Sequence, residues 1–161
     1  MASITLLPAV LSPAPTDREA IADTVYRFAQ GIDSNDAPVF DSAFISDATI
    51  CINGPTYKGL PAIRQNCFDI ITKLDTLHQV TNIRINIADS GIKASLTAYC
   101  LSQHFRSGMG MVSGQERLLA GTTYYAGLVK DGSSGLWKFE KLVLKSTWSE
   151  GNWDVITEAQ K

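Results

Sequence analysis

Leu77-His78-Gln79-Val80-Thr81-Asn82-Ile83-Arg84-Ile85-Asn86-Ile87-Ala88 is the stretch on which the fold turns. Through Ile83, Ile85 and Ile87 apolar and polar side chains alternate with the period of two that a half-buried strand requires. Three more long β-type segments follow, over residues 92–106, 116–129 and 136–148, separated by Asp89-Ser90-Gly91, by Ser107 to Gly114 and by Asp131 to Gly135. Short polar links that carry glycine join antiparallel neighbours, so these four segments form successive hairpins.

Upstream of Leu77 the period changes. Thr16-Asp17-Arg18-Glu19 has the pattern of a capping box, in which the Thr16 hydroxyl accepts from the Glu19 amide and the Glu19 carboxylate reaches back. Ile21, Val25, Phe28, Ala29 and Ile32 then recur at helical spacing, and Gly31 with Asp33-Ser34-Asn35-Asp36 ends the helix. A short helix is expected over 36–44, a short strand from Ala48 to Asn53 closed by Gly54-Pro55, and a further helix over 60–73 through Ile63, Cys67, Ile70 and Ile71. Helices first and long strands afterwards, without β-α-β alternation, indicate an α+β domain whose helices pack on one face of a curved antiparallel sheet. Residues 1–15 contain Pro8, Pro13 and Pro15, keep no period, and read as an arm ahead of a single domain at 16–161.

Composition narrows the function. With 45% hydrophobic and 19% charged residues in 161, the chain supports one packed core and is neither disordered nor collagen-like. Its 14 basic residues face 16 acidic ones with no run of either sign, which excludes non-specific nucleic-acid binding through counterion release. Cys51, Cys67 and Cys100 match no zinc or redox spacing and read as buried thiols in a reducing compartment. The apolar stretch Ile4 to Leu11 lacks a preceding Lys or Arg, contains Pro8 and is far shorter than a membrane span, so a soluble cytoplasmic protein without membrane attachment is expected.

Few residues could carry chemistry. His78 and His104 are the only histidines. His104 shares strand parity with Ala94, Leu96, Ala98 and Cys100 and should point inward. His78 shares parity with Val80, Asn82 and Arg84, on the more polar face of its strand, and only a bulge would turn it inward. Asp33 follows Tyr26 by seven residues, which puts both within roughly 20° on one helix face. Taken alone, Asp33 is either a helix end-cap or a cavity carboxylate, and the residues favour structural over catalytic roles for the histidines. Tyr124, Tyr125, Trp137, Phe139 and Trp148 line a pocket or fill an ordinary core. Gly108 to Gly114, with Met109 and Met111 at the tip, lacks the setting of a phosphate loop and is a flexible connection. No HExxH, GxSxG or carboxylate-rich metal pattern occurs.

The ordered set Tyr26 to Asp33, Thr56-Tyr57-Lys58-Gly59, Leu77 to Ile83, Asp131-Gly132, Leu136-Trp137-Lys138-Phe139 and Trp148 resembles the SnoaL-like proteins of the nuclear-transport-factor-like superfamily. The similar branch holds scytalone dehydratase, bile-acid dehydratase and hexachlorocyclohexane dehydrochlorinase. The resemblance implies a cone-shaped α+β barrel, with a strongly curved sheet wrapped around N-terminal helices and an internal pocket open at one end. It implies that Asp33 orients His78 as a general base, that His104 or Tyr26 serves as a second donor, and that Phe28, Asn82, Thr122, Tyr124 and Trp148 contact substrate. It also implies a cofactor-independent, metal-free dehydratase or isomerase/cyclase acting on a small hydrophobic, polyketide- or terpenoid-like molecule, and a dimer or trimer formed across the sheet. The same fold also serves as a non-catalytic ligand-binding module. The arm and the tail after Trp153 are expected to cover the pocket mouth or reach a neighbouring subunit.

Overall fold

A computed structural model describes residues 5–161. Helix α1, Asp17–Asp33, begins at the expected capping box: the Thr16 hydroxyl accepts from the Glu19 amide at 3.4 Å, and Glu19 Oε2 accepts from the Thr16 amide at 2.7 Å. Its apolar face, Ile21, Val25, Phe28 and Ile32, is fully buried. Helix α2, Ala37–Ser42, is capped by Asp36 and turns back so tightly that a Cβ on Gly31 would lie 2.6 Å from the Phe40 nitrogen. Only glycine admits that approach.

Strand β1 spans Phe44–Ile52 and β2 Thr56–Lys58. The helix expected over 60–73 is interrupted: α3, Leu60–Ile63, passes into a π-helical turn at Arg64–Phe68 before α4, Asp69–Ile71. The extra residue in a π turn leaves apolar spacing nearly helical, so the sequence pattern does not reveal it. The four long strands are β3, Asp75–Ile87, β4, Lys93–Phe105, β5, Arg117–Lys130, and β6, Trp137–Gly151, and helix α5, Asp154–Ala159, follows them. The sheet order is β2-β1-β6-β5-β4-β3. One pairing departs from the antiparallel expectation: β1 runs parallel to β6. No hairpin joins these two strands, so no tight turn dictates an opposite direction.

Phe28 organises the core, with ring centroids 5.6 Å from Phe40, 5.9 Å from Phe44, 6.1 Å from Tyr124 and 6.3 Å from Phe139. Trp137 and Phe139, left between pocket and core by the sequence, are fully buried core residues. Cys67 and Cys100 are buried and Cys51 is only half-buried, and all three are free thiols. Burial pushes Cys67 up to about 12 and Cys100 up to about 11, which keeps both protonated and unreactive.

Bulges decide which side chains reach the interior. The β3–β4 register shifts between Thr81 and Arg84, where Asn82 takes a left-handed φ of 54°. Inward positions are therefore Thr76, His78 and Val80 before the bulge and Ile83, Ile85 and Ile87 after it. In β6 the register shifts between the pairs Gly121↔Trp148 and Thr122↔Ser146, which leaves Thr147 as the extra residue. Trp148 consequently turns outward, while Ser146 keeps the inward alternation of Leu142 and Leu144.

Residues 5–15 contain no helix or strand. Val10, Leu11 and Pro15 flank a hollow shared with Asp23, Arg27 and Trp137, away from the internal cavity. Residues 5–15 are not part of the internal cavity's wall, which leaves for them the alternative of reaching a neighbouring subunit, and residues 1–4 lie outside those described. Among the described residues, no helix is long and apolar enough to cross a membrane.

Candidate active site

Beyond the end of α1, the inner face of the sheet carries small or polar side chains where it elsewhere carries large ones. The cross-strand row His78, Ser102, Ala120 lies beside the row Thr76, His104, Leu118. Ser102 and Ala120 leave an internal cavity of about 280 Å³. That volume is near the lower bound of small-molecule sites, roughly 300 Å³. Phe28, Ile32 and Tyr124 close its inner end, and Trp153, Ile156 and Gln160 bring the C-terminal segment to its wall. Outside the cavity that segment is tied down by Arg106, whose guanidinium meets Glu158 at 2.7 Å and Glu116 at 3.0 Å, and by the Lys73 ammonium donating to the Ala159 carbonyl at 2.7 Å.

Asp33 and His78 meet at the polar end. The carboxylate grips the histidine twice: Asp33 Oδ1 lies 2.6 Å from His78 Nδ1, and Oδ2 accepts from the His78 backbone amide at 2.8 Å. Both side chains are about 10% exposed. With Nδ1 committed to the carboxylate as donor, the Nε2 lone pair is the free end of the ring, and it has no protein partner among the described residues. Asp33 is the last residue of α1, where the chain is leaving the helix, and the Asn82 bulge brings His78 inward to meet it.

His104 stands beside this pair, its ring centroid 5.3 Å from that of His78 in an edge-to-face arrangement. Its Nδ1 lies 2.7 Å from the Thr76 hydroxyl and its Nε2 3.2 Å from the Ser102 hydroxyl. Burial pushes His104 down to about 3, and a proton taken up by the neighbouring His78 acts in the same direction. The ring is therefore neutral near pH 7 and donates hydrogen bonds without giving up its proton. Burial likewise holds the Tyr124 hydroxyl well above its ordinary value, so it stays protonated.

Among the predicted site residues, the structure brings together Asp33, His78, His104, Phe28, Thr122 and Tyr124. It does not bring in Tyr26, Asn82 or Trp148. Tyr26 is 43% exposed and outside the cavity. Seven helical residues rise about 10 Å, so a shared face with Asp33 leaves Tyr26 well short of the cavity. Asn82 is spent on the bulge itself and faces solvent. Trp148, 49% exposed, lies across Gly121 on the outer face of the sheet, so close that a Cβ there would sit 2.3 Å from the indole.

Ser102 is a further cavity residue, and its sequence signal is an inward polar residue between Cys100 and His104 that breaks an apolar row. A second polar patch on the cavity wall escaped the sequence altogether. Asn53, at a left-handed φ of 51°, donates to the Ser146 hydroxyl at 3.0 Å and accepts from the Ser146 amide at 2.7 Å, and Thr122 lies 3.3 Å from the same hydroxyl. Among the described residues no group of three or more His, Cys, Asp or Glu side chains is placed to hold a metal ion. The Gly108 to Gly114 loop, expected to be flexible, is anchored by Asp75, whose carboxylate accepts from the Gly108 and Gly110 amides at 3.2 and 2.8 Å.

Comparison with known proteins identifies the group to which this architecture belongs. A SnoaL-like domain model matches residues 14–143. The chain belongs to the SnoaL-like family. A curated relative, terrestric acid biosynthesis cluster protein E of Penicillium crustosum, is 45% identical over 150 residues, covering 93% of this chain and 96% of that protein. Among solved structures, a scytalone dehydratase-like protein of Novosphingobium aromaticivorans superposes with a TM-score of 0.72 at 19% identity, over 84% of this chain and 87% of the other. A hexachlorocyclohexane dehydrochlorinase of Novosphingobium barchaimii gives 0.69 at 23% identity, over 84% and 90%. At such identities the two structures establish the shared fold. It is a cone-shaped α+β architecture, and the SnoaL-like chain described here builds its cavity in the hollow of that cone.

Proposed function

We propose that this SnoaL-like protein is a cofactor-independent lyase of secondary metabolism, eliminating water from a small hydrophobic, polyketide- or terpenoid-like alcohol. The observation that carries this reading is the bidentate Asp33–His78 contact, which leaves one imidazole nitrogen free against a largely apolar cavity. The 45% identity to a biosynthetic-cluster protein supports the metabolic setting.

The chemistry balances without an added group. His78 Nε2 takes a proton from carbon beside a carbonyl, and Asp33 stabilises the imidazolium that forms. The electron pair moves toward the carbonyl oxygen, which faces the polar Ser102–His104 side of the cavity. Collapse of that enolate forms the carbon–carbon double bond and expels the hydroxyl, which leaves as water with the proton His78 had taken. His104, held neutral and engaged at both ring nitrogens by Thr76 and Ser102, is not the source of the proton. Isomerisation or cyclisation would use the same first step and keep the mass of the substrate.

The test is a mass-spectrometric screen of polyketide-derived hydroxy ketones for loss of water, repeated with His78→Ala. Turnover in the variant is expected to fall by about 10² or more, the usual contribution of a positioned general base. Undiminished turnover would remove the dyad from the mechanism and favour a binding module. We further propose that a second copy of the chain covers the outer sheet face, where Leu77, Tyr99, Tyr125 and Trp148 are each about half exposed. Light scattering is expected to give a dimer or trimer, and a strictly monomeric protein would contradict this.

A further inference from the structure

We propose that Ser102 contacts the substrate as a hydrogen-bond donor, its hydroxyl hydrogen turned into the cavity beside His78 by a relay that begins at Thr76 and passes through His104. The inference deepens the lyase reading and rests on it. Ser102 is the β4 partner of His78 in the sheet register, is 6% exposed, and lines the cavity. A substrate whose carbon approaches His78 therefore presents its neighbouring oxygen to the Ser102–His104 wall.

The direction of the hydroxyl follows from counting hydrogens. Thr76 Oγ1, His104 Nδ1, His104 Nε2 and Ser102 Oγ form one chain, with contacts of 2.7 and 3.2 Å at its two ends. A neutral imidazole carries one N–H, so only two arrangements are available. In the first, Thr76 donates to Nδ1, Nε2–H donates to Ser102, and the Ser102 hydrogen is released to the cavity. In the second, Ser102 donates to Nε2, Nδ1–H donates to Thr76, and the released hydrogen is that of Thr76. Thr76 does not line the cavity, is half-buried, and has no protein acceptor other than Nδ1 among the described residues. Ser102 opens onto the cavity, where water or substrate accepts its hydrogen. The first arrangement gives the cavity a donor, as an oxygen gaining charge beside His78 requires, whereas the second spends the Ser102 hydrogen on Nε2 and turns that of Thr76 toward solvent.

Ser102 then supplies the donor aimed at the oxygen that gains charge when His78 removes the proton, and Thr76 is a positioning residue that fixes the His104 tautomer. Such a donor acts in a largely apolar cavity, where a hydrogen bond to a developing oxyanion has its largest effect.

Two measurements on the full-length protein test this. Long-range ¹⁵N–¹H correlation spectra at pH 7 are expected to show His104 as a neutral ring protonated on Nε2, and a mixture of tautomers in Thr76→Val. Titration with 4-nitrophenol, whose visible absorbance reports its ionisation, is expected to show affinity for the phenolate falling about tenfold or more in Ser102→Ala, the loss of one hydrogen bond to a charged group. Ser102→Thr, which keeps the hydroxyl, should recover most of it. A His104 proton on Nδ1, equal phenolate affinity in Ser102→Ala and wild type, or no uptake of the probe by wild type would each overturn the proposal. Failure of the lyase reading shows elsewhere, as unchanged turnover in His78→Ala, and is thereby distinguishable.

Discussion

The inner face of the sheet has two halves built on the same strands. Toward one end, Leu96, Leu128, Leu142 and Phe139 stand on neighbouring strands, and α1 drives Phe28 into them, so no space remains. Toward the other, the same alternation of inward positions carries Ser102, Ala120, Thr122 and Ser146, and α1 has ended. The backbone is continuous between the halves. Side-chain volume and the length of one helix decide that the first is a core and the second a cavity, so the fold is held by one half while the other is free to carry polar groups that a packed core would not tolerate.

The largest expected effect belongs to the packed half. Phe40→Ala removes a fully buried ring that stacks within 4.9–5.6 Å of Phe68, Phe44 and Phe28, and should cost about 3–5 kcal/mol in urea unfolding. A loss below about 1 kcal/mol would mean that this half is not packed as described.

The next effect is in the hollow half and depends on pH. Above about pH 6.5, the ordinary value, His104 is neutral whether the chain is folded or not, and it contributes no pH dependence. As pH falls below that value the unfolded chain takes up a proton that the folded ring refuses until about 3, so stability should decline across this window. The slope is at most about 1.4 kcal/mol per pH unit. His104→Gln should remove this part of the acid limb, and an acid limb identical to wild type would show that the ring is not buried as a neutral group.

The smallest effect sharpens the contrast. Ala120→Val adds volume where the structure has space, so stability should change by less than about 1.5 kcal/mol while uptake of small aromatic probes is reduced. A destabilisation as large as that of Phe40→Ala would erase the distinction between the halves.

Sequence pattern and structure agree where a single local signal suffices. The Thr16–Glu19 box, the helical spacing from Ile21 to Ile32 and the four hairpin strands were all legible, because capping, period and turn chemistry act over a few residues. What escaped depends on one extra residue in a regular element. The bulge at Asn82 turns His78 inward, the bulge at Thr147 turns Trp148 outward, and the π turn at Arg64–Phe68 divides an expected helix. Each reverses or displaces a face while leaving composition unchanged, so strand parity puts His78 with Asn82 and Arg84 on the polar face although the structure turns it inward. Asp33 was open between cap and cavity for a related reason: its partner lies 45 residues away, beyond any local pattern. Only family resemblance pointed to the pair, whereas inward polarity at Ser102 was readable from strand alternation alone.

The central claim is that His78 removes a proton from carbon. The most direct measurement is wash-in of solvent deuterium beside the carbonyl of a ketone analogue that lacks the leaving hydroxyl, in wild type and in His78→Ala. This isolates the first step from elimination, isomerisation or cyclisation. Exchange catalysed by wild type and slowed by about 10² or more in the variant is the predicted result. Equal exchange in the two proteins would contradict it.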